Sequence, residues 1–101
     1  MNILAIDPGT HESGWCLFTN EPVVKRLNRF GKSNNDTFRL EELPQLIGYF
    51  DCVAIEMIAS YGMPVGKEVF QTVLYIGRLC EKLSRPSFPV HLLYRRQEKL
   101  H

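Results

Sequence analysis

Short apolar runs of strand length, broken by turn residues, open the chain, and apolar residues at helical spacing fill much of the remainder. Residues 2–7 form a first such run, ending in Asp7-Pro8-Gly9-Thr10, and residues 14–19 return as a second. Proline fixes φ and glycine tolerates positive φ, so Pro8-Gly9 predicts a turn between two antiparallel strands. Asn20-Glu21-Pro22 is a polar break, after which Val23 to Phe30 predicts a third strand with charges on one face, as suits a sheet edge. Gly31 to Asn35 has the composition of a loop.

A helix is predicted from Asn35 or Asp36, either of which can cap it, to about Tyr49, with Phe38, Leu40, Leu43, Leu46 and Ile47 as its buried stripe. Pro44 either kinks this helix or starts a second one. Val53 to Ile58 is a fourth strand, and Ala59 to Gly66 a loop rich in glycine and proline. The longest helix follows, from Lys67 to about Leu83. Val69, Val73, Ile76, Cys80 and Leu83 form one stripe on it, with Phe70, Leu74 and Gly77 beside them and Tyr75 and Leu79 widening the apolar surface. A helix apolar over so much of its circumference is either sandwiched in a core or paired with another molecule. Gly77 lowers helix stability, and its use there is close approach by another backbone. Phe88 to Tyr94 is a last strand, and Arg95 to Lys99 begins a further charged segment. The order is β-β-β-α-β-α-β.

With 101 residues, 45% hydrophobic and 23% charged, the chain has material for one domain with a modest core. A net charge of +1 argues against a wholly basic nucleic-acid coat but leaves room for a local basic surface. No apolar run is long enough to cross a bilayer and no signal-peptide pattern is present. Cys16, Cys52 and Cys80 are odd in number, far apart and set among apolar neighbours, as reduced core thiols of a cytoplasmic protein are. Neither they nor His11, His91 and His101 have the spacing of a zinc site.

Two carboxylates stand out against this pattern. Asp7 ends a buried strand, where it either caps the turn or coordinates a cation. Glu56 sits within Val53-Ala54-Ile55-Glu56-Met57-Ile58, although glutamate is poor strand material and is rarely buried without a partner. Two hydrophobic strands that each give a position to a carboxylate point to adjacent strands aiming both acids at one place. Hard oxygen donors of that kind suit Mg2+ or Mn2+, and carboxylate clusters holding two such ions serve phosphodiester hydrolysis.

Ile6-Asp7-Pro8-Gly9-Thr10 followed by Ser13-Gly14-Trp15, and Ala54-Ile55-Glu56-Met57-Ile58 followed by a glycine-rich loop and Val73-Leu74-Tyr75-Ile76-Gly77-Arg78, resemble the two acidic motifs of RuvC-type Holliday junction resolvases, especially those of phages and prophages. The resemblance runs from Asn2 to Lys99. It implies an α/β, ribonuclease H-like mixed sheet over residues 1–101 as a single, truncated domain. It further implies an Mg2+- or Mn2+-dependent endonuclease acting on branched DNA as a homodimer. By this resemblance Asp7 and Glu56 are the first two metal-binding catalytic acids, and Tyr61 is the junction-contacting aromatic, with Met63 a lesser candidate. The helix after the second acid becomes the dimer interface, giving Val69, Val73, Ile76, Gly77 and Cys80 a purpose. Lys25, Arg26, Arg29, Arg95, Arg96 and Lys99 are available for phosphate contacts.

The family pattern also has two further acids on a helix beyond the strand matching Phe88–Tyr94. Glu68 and Glu81 lie on the wrong helix for this and Glu98 comes too early. The expectation is therefore of the first two-thirds of a nuclease domain, with its C-terminal catalytic helix missing or incomplete and weak metal binding. The alternative is a catalytically dead module of the same fold that binds branched DNA or serves as a dimeric scaffold. Strand-Asp-x-Gly-Thr also opens the phosphate hairpin of the actin and sugar-kinase superfamily, but that architecture needs two domains. A ribosomal-RNA processing nuclease of the same fold is nearer in size and would keep the first acid.

Overall fold

The computed structural model describes residues 1–57, 66–84 and 88–94. Five strands form one mixed sheet in the order β3-β2-β1-β4-β5: β1 (Asn2–Pro8), β2 (Glu12–Asn20), β3 (Lys25–Asn34), β4 (Cys52–Met57) and β5 (Val90–Tyr94). The first three are antiparallel neighbours, whereas β4 runs parallel to both β1 and β5. The Pro8-Gly9 turn is closed by Gly9 N–H donating to Glu12 C=O at 2.8 Å. A Cβ on Gly9 would lie 2.5 Å from that same oxygen, so the turn excludes any larger residue without rearrangement.

Alternation along the strands separates two faces. Leu4, Ile6, Leu17, Val53 and Ile55 point to one face and are nearly inaccessible there. They pack against Phe38, Leu43 and Leu46 from the middle of the chain and Tyr75, Ile76, Leu79 and Leu83 from the long helix α3 (Lys67–Ser84). Fully burying side chains of this size stabilises the fold by about 1.5–3 kcal/mol each. Phe50 and Phe88 close one end of this core with ring centroids 4.7 Å apart.

The expected helix over residues 36–49 is instead three short pieces, α1 (Asn35–Thr37), a π-helical turn (Phe38–Glu42) and α2 (Leu43–Leu46). Pro44 is the physical reason. It has no N–H to donate and sits in the first turn of α2, the position a helix tolerates, so the chain restarts there rather than running through. The Leu43 N–H bonds back to Phe38 C=O, five residues earlier, which widens the turn before the proline. Asn34, not Asn35 or Asp36, is the cap, its side chain accepting from Asp36 N–H. Leu40 and Ile47 of the expected stripe are exposed, and the run ends before Gly48, at φ 101°.

Two further corrections bear on the site. Residues 31–34, expected as loop, continue β3 as far as Asn34. The buried face of α3 runs through Thr72, Tyr75, Ile76, Leu79 and Leu83, and so takes in Ile76 of the stripe assigned to a dimer interface. Ile76 thus belongs to the chain's own core and Cys80 packs against it. Ile76 is therefore closed to a partner, contrary to the dimer reading, whereas Cys80 is half-buried.

Candidate functional site

β1 and β4 carry the two acids to the same level of the sheet. The parallel register pairs Ala5 with Ala54 and Ile6 with Ile55, so the next step along both strands sets Asp7 beside Glu56. Both lie on the face opposite the helices, because Ile6 and Ile55 are the core residues and side chains alternate. The two acids share an open groove of ≈ 580 Å³ floored by Ala5, Cys16 and Ala54, with Leu93 at its β5 end. Adjacent strands lie about 4.8 Å apart. Two carboxylates on neighbouring strands could serve as hard oxygen donors to a divalent cation.

The turn that follows Asp7 is anchored from below by Asn35. Its Nδ2 donates to the carbonyls of Gly9 and Thr10 at 3.0 and 3.1 Å, and its backbone N–H donates to His11 C=O at 2.8 Å. Its Oδ1 accepts from the buried Ser13 hydroxyl at 2.7 Å, and its own carbonyl accepts from Tyr75 Oη at 2.9 Å. Burial pushes the Tyr75 phenol above its ordinary pKa, opposed by its contact with Ser13, so it stays a neutral donor to that carbonyl. The Asp7 turn, β2, α1 and α3 are thereby tied at one residue.

Trp15, the residue that followed Ser13-Gly14 in the first motif, has a structural task on the helix side. Its Nε1 donates to Glu42 at 3.2 Å and its ring lies 6.2 Å from that of Phe38. Gly31 is its complement, since a Cβ there would come within 2.9 Å of the indole.

The remaining site candidates divide. Lys25 stands at the far end of β3 and donates to Asn20 Oδ1. Arg26 bonds Asn28 on the helix-side face, away from Asp7. Tyr61, Met63, Arg95, Arg96 and Lys99 lie outside the described residues. On α3, Phe70, Val73 and Leu74 are exposed with Gly77, Val69 is half-buried, and a Cβ on Gly77 would meet nothing within 4 Å. The close approach expected at Gly77 is therefore not made among the described residues. One residue was missed. Lys32 pairs with Gly14, which pairs with Asp7, so Lys32 shares a row with both acids; the signal would have been continued strand alternation past Gly31.

No family model matches the chain, and no curated protein matches it in sequence. Solved structures do. RuvC from Thermus thermophilus superimposes with a TM-score of 0.72 at 15% identity over 93% of this chain and 64% of that one. The same organism's RuvC in complex with a Holliday junction substrate gives 0.76, at 15% identity over 94% of this chain and 66% of the other. The Fowlpox virus resolvase with its Holliday junction DNA gives 0.66, at 15% identity over 92% and 61%. This is a ribonuclease H-like fold. Within that fold the chain spans less than two-thirds of the length of these resolvases. Among the described residues no group of three or more His, Cys, Asp or Glu side chains converges on a metal position, and no helix is long and apolar enough to cross a membrane.

Proposed function

We propose that this chain is the core of a divalent-metal-dependent endonuclease acting on branched DNA, with Asp7 and Glu56 as its metal-binding acids. The observation that carries the reading is their placement at one level of adjacent parallel strands, on the face that the described helices leave open. Side chains on two rigid strands hold a donor pair more precisely than loops would. The donor set is hard oxygen, which fits Mg2+ or Mn2+. Such an ion supplies charge neutralisation at phosphate and a water made acidic enough to attack it. Asp7 and Glu56 would hold it, while Asn35 and the Pro8–Gly9 turn fix where Asp7 stands.

The second copy of the proposed homodimer docks on the exposed α3 stripe of Phe70, Val73, Leu74 and Gly77. The test is a synthetic four-way junction with Mn2+, followed by gel shift for binding and a denaturing gel for cleavage. Wild type is expected to bind and to cut symmetrically, and Asp7→Asn to bind without cutting. Cutting that survives Asp7→Asn contradicts the assignment.

A second reading is a non-catalytic module of the same fold that binds branched DNA or acts as a dimeric scaffold, favoured by the exposed apolar stripe of α3. It predicts junction binding indifferent to Mn2+ and no cutting by any variant.

A further inference from the structure

The open face continues beyond the two acids to the β3 edge. Two rows cross the sheet there. One runs Lys32, Gly14, Asp7, Glu56 and Leu93; the other runs Phe30, Cys16, Ala5, Ala54 and His91. Between the β3 residues and the acids stand only Gly14, Cys16, Ala5 and Ala54, all small. Phe30 is 74% exposed although it occupies a regular strand position, and Lys32 is exposed beside it. Gly31, between them, is turned to Trp15 and lines the groove with its backbone.

We infer that Phe30 and Lys32 form a nucleic-acid strand track leading to Asp7 and Glu56, Phe30 stacking a base and Lys32 contacting a backbone phosphate. The inference takes from the proposed function that the ligand is nucleic acid, and adds which edge of the sheet the strand crosses. An exposed aromatic beside a cation is the pairing that binds unpaired nucleotides without sequence preference. Strand spacing puts the Lys32 backbone about 10 Å from that of Asp7, two strands away, with no side chain on Gly14 to intervene. A polyanion entering a face that carries two carboxylates needs compensating charge, and Lys32 supplies it in their own row. A second copy of the chain is disfavoured here, because β3 carries Lys25, Arg26, Arg29 and Lys32 and no acid, so two-fold pairing of its edges would gather like charges with nothing to offset them.

Fluorescence anisotropy with a labelled four-way junction and a labelled single strand, in chelator and over a salt series, tests the track apart from the metal chemistry. Lys32→Gln should flatten the log Kd against log salt slope by roughly 0.7–0.9, one phosphate contact, and Lys32→Arg should restore it. Phe30→Ala should weaken binding roughly 5- to 150-fold with the slope unchanged, and Phe30→Tyr should retain it. Affinities and slopes equal to wild type in Lys32→Gln and Phe30→Ala overturn the inference, even where Mn2+-dependent cutting upholds the nuclease reading. Loss of binding in these variants with no cutting by wild type upholds the track and removes the nuclease. A change in oligomeric state in Phe30→Ala at unchanged DNA affinity makes the face a protein contact and also overturns it.

Discussion

Asn35 shows how one side chain can fix the turn beside a residue that it does not touch. It satisfies Ser13, Gly9 and Thr10 through its amide while its backbone serves His11 and Tyr75, and all of this lies directly beneath the turn after Asp7. Removing the amide leaves the buried Ser13 hydroxyl and two carbonyls without that partner. Asn35→Ala should therefore cost about 1–3 kcal/mol of stability. In a domain of this size each kcal/mol lowers the melting temperature by roughly 4–8 °C. A thermal melt superimposable on wild type would show that the network carries no net stability. In the sequence Asn35 read only as a cap candidate or loop residue, because its partners are 22 to 40 positions away and no local pattern links them.

At the scale of elements, legibility followed periodicity. The strands carrying Asp7 and Glu56 were plain from their apolar runs, and both acids stand where those runs placed them. β3 was cut short because Gly31-Lys32-Ser33-Asn34 has loop composition; pairing with β2 and the fit of Gly31 against Trp15 override it. The middle helix failed at Pro44, where local chemistry outweighed a helical stripe. On α3 the excess of apolar positions was legible, but which part of that wide apolar surface faced inward was not. The core decided for Tyr75, Ile76, Leu79 and Leu83. The outward stripe then predicts assembly. Wild type should run as a dimer in light scattering, and Phe70→Glu with Leu74→Glu should weaken it by at least roughly 100-fold, since each buries apolar surface twice in a two-fold contact. A wild-type monomer, or a double variant that still dimerises, would remove α3 from the interface.

For the molecule as a whole, the mixed sheet separates two tasks. One face is filled by the helices and gives the domain its stability, while the other carries small side chains, two acids and a basic edge. That division follows from strand alternation, since a sheet with all its described helices on one side leaves alternate residues of every strand free for chemistry. The proposed function requires that Asp7 and Glu56 act as one site rather than as two separate surface acids. Mn2+ titration followed by electron paramagnetic resonance tests this most directly, on wild type, Asp7→Asn, Glu56→Gln and the double variant, with melting curves to confirm that each is folded. Either single change should weaken Mn2+ binding by at least roughly tenfold, about 1.4 kcal/mol, and the double change should add little more. Binding unaltered by either substitution, or penalties that simply add, would mean that the two carboxylates do not share an ion.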